Sequence, residues 1–575
     1  MIPATPQTPI VDIVTVCFND QKFFPAYLDS ILSQTDVDLS HVNLIMVDNN
    51  SSKENYDVLL QHTTQAQQSL RSYQVIRENV NQGFAKGCNI GAFNSQSDGD
   101  FLFFLNSDTE LHPRALANLF KHFSRDEASY AAWEFRQFPY EHPKIYDPLT
   151  GEVSWGSGAA LVIRREVFKR LKGFDTRLFM YTEDVDISWR IRMEGFKIKY
   201  LPECIVYHYS YQSFNQTKPI QYFYSIFNNL QLRFKFGTMA EIKNGFRLLK
   251  MVLKNKGPFE NSRKLLLNHK ARRLHKFVQQ RMWYFRFKKI IRRSSPQKFL
   301  DFDYEQRREG AFYFNELPKS SPLVSVIIRT VNRPLVLREA LISLRNQTYK
   351  NLEVIVVEDG LPLSERYVAR DFKDLNVRYF STRKKVGRTK AGNLGLKMAT
   401  GQYFNFLDDD DMLYADHFEC LVRQSERHPE FKIFNNFAFE AKTTTISKEP
   451  YVYRFEDLTT VHRKRFNLIR LTLHNFLPIQ TVMFHREVFE SLGGFDESLD
   501  VLEDWDLWIR FASKYEFYTV FKTCSLYKVP AENDLAHTRR MQFDNALKAV
   551  QKKQLAYQIS LDPIRLSTLH KNFDK

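Results

Sequence analysis

Residues 165–175 read REVFKRLKGFD and residues 486–496 read REVFESLGGFD. The same element, ending in Gly-Phe-Asp, occurs twice, so the chain is an internal duplication. An acidic pair follows each copy, Glu183-Asp184 and Glu503-Asp504. A strand-length apolar run ending in an acidic turn precedes each, FLFFLNSD at 101–108 and YFNFLDDDD at 403–411. Each half opens on a β-branched run, VDIVTVCFN at 11–19 and PLVSVIIRTVN at 322–332. A further strand pattern comes next, NLIMVDNNS at 43–51 and NLEVIVVEDG at 351–360. Two copies of so long a unit exclude a solenoid.

Within each copy, short continuous apolar strands alternate with polar-patterned helices. That predicts an α/β domain whose sheet is largely parallel and buried on both faces. The rest of the composition agrees. The chain has 575 residues, 43% hydrophobic and 26% charged, which is globular. Five dispersed cysteines exclude a disulfide scaffold, and without a C-x-x-C pair they predict a reducing compartment and no zinc site. The first residues lack a basic, apolar leader, and no apolar run approaches the ~18–20 residues of a membrane span. The expectation is a soluble, cytoplasmic, multi-domain protein.

Net charge is +16, and residues 241–293 hold 17 basic against 2 acidic residues. The protein therefore reads as two near-neutral halves around one basic segment. Its apolar and basic residues interleave at helical spacing around Trp283, Tyr284, Phe285 and Phe287, with a break at Gly257-Pro258. An anionic membrane surface, a nucleic acid and plain packing between domains are the three readings of such a segment. The predicted layout is a first domain over 1–238, a basic helical connector over 239–300, a second domain over 301–540 and a helical tail over 541–575.

Functional groups on parallel sheets collect at the carboxyl ends of strands. Asp48, Asp108, Asp359 and the run Asp408-Asp409-Asp410-Asp411 all lie there, although an Asp after a strand also serves as a turn or helix cap. Adjacent carboxylates repel one another unless a cation neutralises them, and hard oxygens select Mg²⁺ or Mn²⁺. Asn106-Ser107-Asp108 is the thinner version of that cluster. Glu183-Asp184 and Glu503-Asp504 fit either a helix cap or a general base for an acceptor hydroxyl. His208 is a candidate metal ligand. NVNQGFAKGCNIG at 79–91 predicts a loop that approaches a ligand closely, and it is neither G-x-G-x-x-G nor a P-loop. KKVGRTKAGNLG at 384–395 is its basic counterpart, facing phosphates or solvent.

These residues carry a resemblance. Both halves are similar to family-2 glycosyltransferases of the GT-A fold. The first half matches through TVCFN, Asp48, N-x-G-F-A-x-G-x-N-x-G at 81–91, LNSD, GFD, Glu183-Asp184 and His208, and resembles the rhamnosyl- and galactofuranosyltransferase-like branch. The second matches through RTVNRP at 329–334, Glu358-Asp359, AGNLG, LDDDD, GGFD and EDWDLW. The resemblance implies two tandem GT-A domains with Rossmann-like, mostly parallel sheets, joined by the basic connector. It implies donor contacts at Cys17, Asn19, Asp48, Asn81, Gly83, Lys86, Asn89 and Ser107 in the first half. In the second half the implied donor contacts are Thr330, Asn332, Arg333, Asp359, Arg388, Lys390, Asn393 and Asp409. Asp108 and His208, and Asp408 with Asp410, become ligands of Mn²⁺ or Mg²⁺. Asp184 and Asp504 become the bases of an inverting transfer. Two departures stand out: Asn106 replaces the usual Asp, and YKVPAEN at 527–533 lacks the usual histidine, with Pro530 near its place and His537 as a substitute.

The implied activity is a bifunctional, metal-dependent glycosyltransferase. It moves sugars from UDP-, dTDP- or GDP-linked donors to a lipid-linked or oligosaccharide acceptor during synthesis of a bacterial surface glycan of the O-antigen or capsule type. No nucleic-acid partner is expected, and the basic segment adds peripheral contact with the cytoplasmic face of the inner membrane. The alternatives are one active domain with a degenerate partner, or a non-enzymatic glycan-assembly scaffold. Sugar, base, linkage and oligomeric state are not encoded in any motif.

Overall fold

The computed structural model describes residues 8–20, 22–209, 219–254, 274–293, 307–310, 314–532, 541 and 546–558. The chain forms two compact units, Met1–Arg307 with Ala311–Asn315, and Arg308–Gly310 with Glu316–Lys575. The predicted break at Gly257-Pro258, His537 and residues 559–575 of the predicted tail lie outside the described residues.

In unit 1 the strands are β1 (Val11–Cys17), β2 (Val42–Asp48), β3 (Ser72–Arg77), β4 (Phe101–Leu105), β5 (Thr109–Leu111), β6 (Tyr130–Phe138), β7 (Ala160–Arg164) and β8 (Lys197–His208). They form one sheet in the order β3-β2-β1-β4-β7-β6-β8-β5. The first four run parallel, as the alternating pattern predicts. Beyond β4 the sheet is mixed: β7 is antiparallel to β4 and β6, β6 and β8 are parallel, and β5 closes the edge antiparallel to β8. Helices also stand between β5 and β6 and between β7 and β8, so alternation with helices does not distinguish the mixed half from the parallel one.

Unit 2 repeats the plan with β9 (Val324–Thr330), β10 (Leu352–Glu358), β11 (Val377–Ser381), β12 (Tyr403–Asp408), β13 (Met412–Leu413), β14 (Ile433–Lys448), β15 (Tyr451–Thr459), β16 (Val482–His485) and β17 (Phe517–Pro530). The order is β11-β10-β9-β12-β16-β14-β17-β13, and β15 adds a hairpin to β14. The central strands β2, β9 and β10 are buried from end to end, and apolar cores lie on both sheet faces.

The glycine-rich window predicted as a loop is a helix, Phe84–Asn94, entered through Gly83 at φ +81°. A Cβ on Gly91 would stand 2.5 Å from Val14 Cγ1. On the matching helix Arg388–Met398, a Cβ on Gly395 would stand 2.4 Å from Ile327 Cγ2. These glycines let the helix sit directly on β1 or β9, a packing need that outweighs poor helix propensity.

Helices Met239–Lys254 and Leu274–Arg293, inside the predicted connector, belong to unit 1. Trp283 and Ile291 pack on Trp155, Leu178, Val185, Trp189, Leu232 and Phe236. In unit 2 the sequence-distant Cys420 and Cys524 meet in the core, with Sγ atoms 3.4 Å apart as free thiols.

Candidate active sites

Strand register fixes which residues of the two units correspond. Cys17 lies beside Asp48, and Thr330 beside Glu358. The next N–H, from Asn49 or Asp359, donates to the carbonyl of Cys17 or Thr330. Asp48 therefore corresponds to Glu358, and Asp359 to Asn49, one residue off the pairing that matching Asp to Asp suggests. Asn49 Oδ1 accepts from Gln82 N at 2.8 Å. Asp359 accepts from Val386 N and Gly387 N at 2.6 and 3.0 Å. Both thus hold the turn that enters the glycine-bearing helix. Asp48 accepts from Ser51 N at 3.1 Å and faces Arg77 Nε at 3.4 Å, while the Arg77 guanidinium stacks on Tyr56.

Asn19 and Asn332 both sit at positive φ, 58° and 51°, where the chain leaves β1 and β9. Asn tolerates that region better than most residues. Cys17, Asp20, Phe24, Ser51, Asn55, Leu59 and Ser107 line a cleft of about 250 Å³ that opens to solvent. Burial, then Asp20 and Asp48, pushes the Cys17 thiol up, so it lines the cleft as a thiol. Ser107 Oγ donates to Asp20 Oδ2 at 2.7 Å. Asn81 Oδ1 accepts from Gly83 N, and Lys86 Nζ donates to Gln82. Asn89 and Asn393 do something else: each amide bonds both backbone groups of the Phe in the Gly-Phe-Asp element, Phe174 or Phe495, at 2.8–2.9 Å. They pin that element to the helix.

The acidic pairs begin helices Glu183–Met193 and Glu503–Lys514. The residue in front is left-handed in both, Thr182 at φ 71° and Leu502 at φ 61°. A branched side chain there costs about 1–3 kcal/mol, which the surrounding contacts must hold. Two side chains of helix Pro219–Phe236 do so in unit 1. Asn228 Nδ2 donates to the carbonyls of Met180 and Tyr181 at 2.8 Å each. Lys235 Nζ bonds Asp175 Oδ2 at 2.8 Å and also Asp186. In unit 2, Lys553 reaches Asp496, the Asp175 counterpart, and Tyr557 Oη bonds Asp506 at 2.5 Å. The reach is 60 residues in one unit and 57 in the other. Sequence reading missed these residues, and their near-equal spacing is the signal that could have found them.

Burial, then backbone hydrogen bonds from Gly158 and Val185 opposing it, sets Asp184 above the usual carboxylate range. Burial and the Glu503 charge push Asp504 up to about 7 against the pull of Arg329. Asp504 Oδ2 accepts from Asn475 Nδ2 at 2.9 Å. Asp504 can therefore take a proton near neutral pH, as a general base must, and Asp184 is shifted in the same direction. Glu183 Oε2 is buried without a hydrogen-bond partner. Beside Asp184, Glu134, Gln137, Glu141, His142, Lys144 and Tyr200 line a second pocket of about 280 Å³. Lys144 is buried there, bonded to Glu134 and to the Trp155 carbonyl.

His208 Nε2 lies 3.3 Å from Asp108 Oδ1 because β5 pairs Thr109 with His208. His208 Nδ1 donates to Gln137 Oε1 at 2.9 Å, which leaves the Nε2 lone pair toward the carboxylate. Asn106 Oδ1 is buried beside them with no hydrogen-bond partner. Imidazole, carboxylate and an orphaned carbonyl suit a divalent cation. Among the described residues no three His, Cys, Asp or Glu side chains are placed to hold a metal ion together. Water and substrate oxygens would therefore complete the shell.

Unit 2 is different, and the cation expected on Asp408 and Asp410 does not fit its donors. Arg329 Nη2 and Nε hold Asp408 Oδ1 at 2.7 and 3.2 Å, and Arg329 Nη1 holds Glu503 at 2.8 Å. Arg333 bonds Asp409 and lies 3.2 Å from Asp410 Oδ2. Thr330 Oγ1 donates to Asp409 at 2.6 Å. One step past the Met412–Leu526 pair, the β13–β17 register puts Tyr527, not Pro530, where unit 1 has His208.

Known proteins resemble these units. An uncharacterized glycosyltransferase of Rickettsia typhi is 31% identical over 191 residues, 33% of this chain and 59% of the relative. The GalNAc(5)-diNAcBac-PP-undecaprenol beta-1,3-glucosyltransferase of Campylobacter jejuni is 27% identical over 212 residues, 36% of this chain and 65% of the relative. The chain thus spans less than two thirds of either relative. A mannosyltransferase from Pyrobaculum calidifontis, solved with GDP-Man and Mn²⁺, is 14% identical at a TM-score of 0.34, covering 52% of this chain and 89% of that one. The description Glycosyl transferase family 2 matches residues 12–180 and again 325–493, and the chain belongs to that family, twice over.

Proposed function

We propose that each unit is an inverting glycosyltransferase site, so that one chain makes two transfers onto a growing bacterial surface glycan. The observation that carries this is the twofold recurrence of a buried carboxylate, Asp184 or Asp504, behind a left-handed residue at a helix start. The base takes the proton of an acceptor hydroxyl as its oxygen attacks the anomeric carbon of a nucleotide-linked sugar. The bond to the diphosphate breaks and inverts that carbon. In unit 1, Asp108 and His208 would hold Mn²⁺ or Mg²⁺, which supplies positive charge to the departing diphosphate. The cleft lined by Cys17, Ser51 and Ser107 takes the nucleotide, with Asn19, Asp48, Asn81, Gly83 and Lys86 as the further donor contacts of unit 1; Thr330, Asn332, Asp359 and Lys390 are those of unit 2. Tyr527 in place of histidine favours the second reading, a degenerate unit 2. The test is calorimetric binding of UDP, dTDP and GDP with Mn²⁺ to the full chain. Binding that Asp48→Ala or Asp359→Ala weakens at least tenfold supports the two sites, and failure of every nucleotide to bind sinks the transferase reading.

A lipid-linked acceptor is part of the proposal, supported by the undecaprenol in the name of the Campylobacter relative. Among the described residues no helix is long and apolar enough to cross a membrane. Helix Leu274–Arg293 exposes Val278, Met282 and Phe285 along one stripe, beside exposed Arg286, Lys288 and Lys289. Such a stripe suits the anionic interface of a bilayer. The chain is expected to float with phosphatidylglycerol vesicles and not with phosphatidylcholine vesicles. Paired Met282→Asp and Phe285→Asp changes should cut that binding at least tenfold, and equal binding to both vesicles would remove the membrane from the proposal.

A further inference from the structure

The matched registers allow the two donor sites to be compared residue by residue. Where β1 has Val16 as its last residue but one, β9 has Arg329; where unit 1 has Asp20, unit 2 has Arg333. The first helical residue after the positive-φ glycine is Phe84 in unit 1 and Arg388 in unit 2. Asn106 becomes Asp408, and His208 becomes Tyr527. Unit 2 has therefore gained three guanidinium groups at one strand-end cluster and lost the imidazole.

These guanidinium groups are not alike. Arg329 is buried, 7% exposed, and spans Asp408 and Glu503. It cancels the extra carboxylate and ties that turn to the helix that carries Asp504. Arg333 and Arg388 are 43% and 57% exposed and flank the same turn, with Arg388 Nη1 3.7 Å from Glu503. Arg388 can bond a phosphate through two parallel N–H groups, and Arg333, whose Nε and Nη2 stay on Asp409, turns Nη1 toward the same space beside Asp410, so the pair forms a cradle for a dianion.

We propose that unit 2 holds the diphosphate of its donor with Arg333 and Arg388 and without a divalent cation, while unit 1 uses a metal. This rests on the transferase reading above. In the step it serves, the acceptor oxygen bonds the anomeric carbon and the acceptor proton passes to Asp504. The bond from that carbon to the diphosphate breaks, and its electron pair stays on the phosphate oxygen. The guanidinium groups carry the charge that develops there, as fixed donors do in a preorganised site. Arg329 is a positioning residue, because it touches Asp408 and Glu503 rather than the diphosphate.

The test uses inorganic pyrophosphate as probe and the full chain in excess EDTA, with calorimetry at physiological salt. One pyrophosphate should bind per chain. The exposed pair Arg333→Met with Arg388→Met should weaken it at least tenfold, and Asp108→Asn with His208→Ala should leave it unchanged. Added Mn²⁺ should create a second site that the Asp108 and His208 changes remove. No binding in EDTA, binding that survives the arginine changes, or a Mn²⁺-dependent site removed by Asp410→Asn would each overturn the proposal. Arginine-dependent binding in EDTA with no nucleotide bound anywhere would sustain the cradle and sink the transferase reading instead, so the two failures are distinguishable. If the double variant loses its circular dichroism signal, the single changes Arg333→Lys and Arg388→Lys carry the test; each keeps the charge but loses the fork, and each should weaken binding severalfold, unchanged binding counting against the cradle.

Discussion

Replacing Asp504 by Asn is expected to lower the transfer proposed for unit 2, and replacing Asp184 by Asn that proposed for unit 1, each by about 10²–10⁴-fold, the usual contribution of a positioned base. Each variant keeps the other transfer, so product analysis of the two chains separates the reactions. The pH dependence follows from the raised Asp504. A base must be deprotonated, so unit 2 transfer falls about tenfold per pH unit below about 7. Stability runs the opposite way. With its folded pKa above the unfolded one, Asp504 contributes stability that is full below the ordinary carboxylate range and lost as pH rises through about 7. Asp504→Asn should therefore melt at the same or a higher temperature at pH 8. A variant that loses both stability and transfer would make Asp504 a structural residue and end its role as base.

The second large effect is on stability. Lys235→Met leaves Asp175 and Asp186 without the ammonium that both share. Burial alone would raise the Asp175 carboxyl, but Lys235 and Arg177 hold it well below the usual range. Breaking a buried pair by removing one partner costs about 3–5 kcal/mol. The loss is confined to unit 1, which holds Trp133, Trp155, Trp189 and Trp283, whereas unit 2 holds Trp505 and Trp508. Urea unfolding followed by tryptophan fluorescence should show one transition at lower urea and the other unmoved. The unit 1 transfer should fall with it, because the same helix holds the turn before Glu183. Coincident movement of both transitions, or none, would refute this account.

Duplication, strand ends and the acidic pairs were legible because each leaves a local pattern: a repeated element, a β-branched run, a carboxylate after it. Registers were not. Matching Asp48 to Asp359 looks natural in sequence, yet the backbone bonds of Asn49 and Asp359 show an offset of one residue. The mixed half of each sheet was hidden for a related reason, since helices also stand between β5 and β6 and between β7 and β8, and alternation does not tell which strands pair antiparallel. The glycine window misled because propensity speaks against helix there, while contact with Val14 and Val47 decides for it. Lys235 and Lys553 sit in segments with no shared motif, so only their distance from the Gly-Phe-Asp element relates them. The contrast between Asp108 with His208 and Asp408 with Arg329 was legible as residue types, but which cation each carboxylate meets needed the three-dimensional register.

The lysine that fastens each Gly-Phe-Asp element arrives long after it. While the protein is being synthesised, the Asp175 carboxylate is made 60 residues before Lys235. At about 5–20 residues per second, that is roughly 3–12 s in which the base-bearing turn has no fastening. A chain halted between His208 and Lys235 would carry every strand of the first sheet and an unsecured site. Unit 2 faces the same delay at its own end, where Lys553 follows Asp496 by 57 residues. Each half of this protein therefore becomes competent only when its trailing helix has left the ribosome, so the first can mature while the second is still being translated.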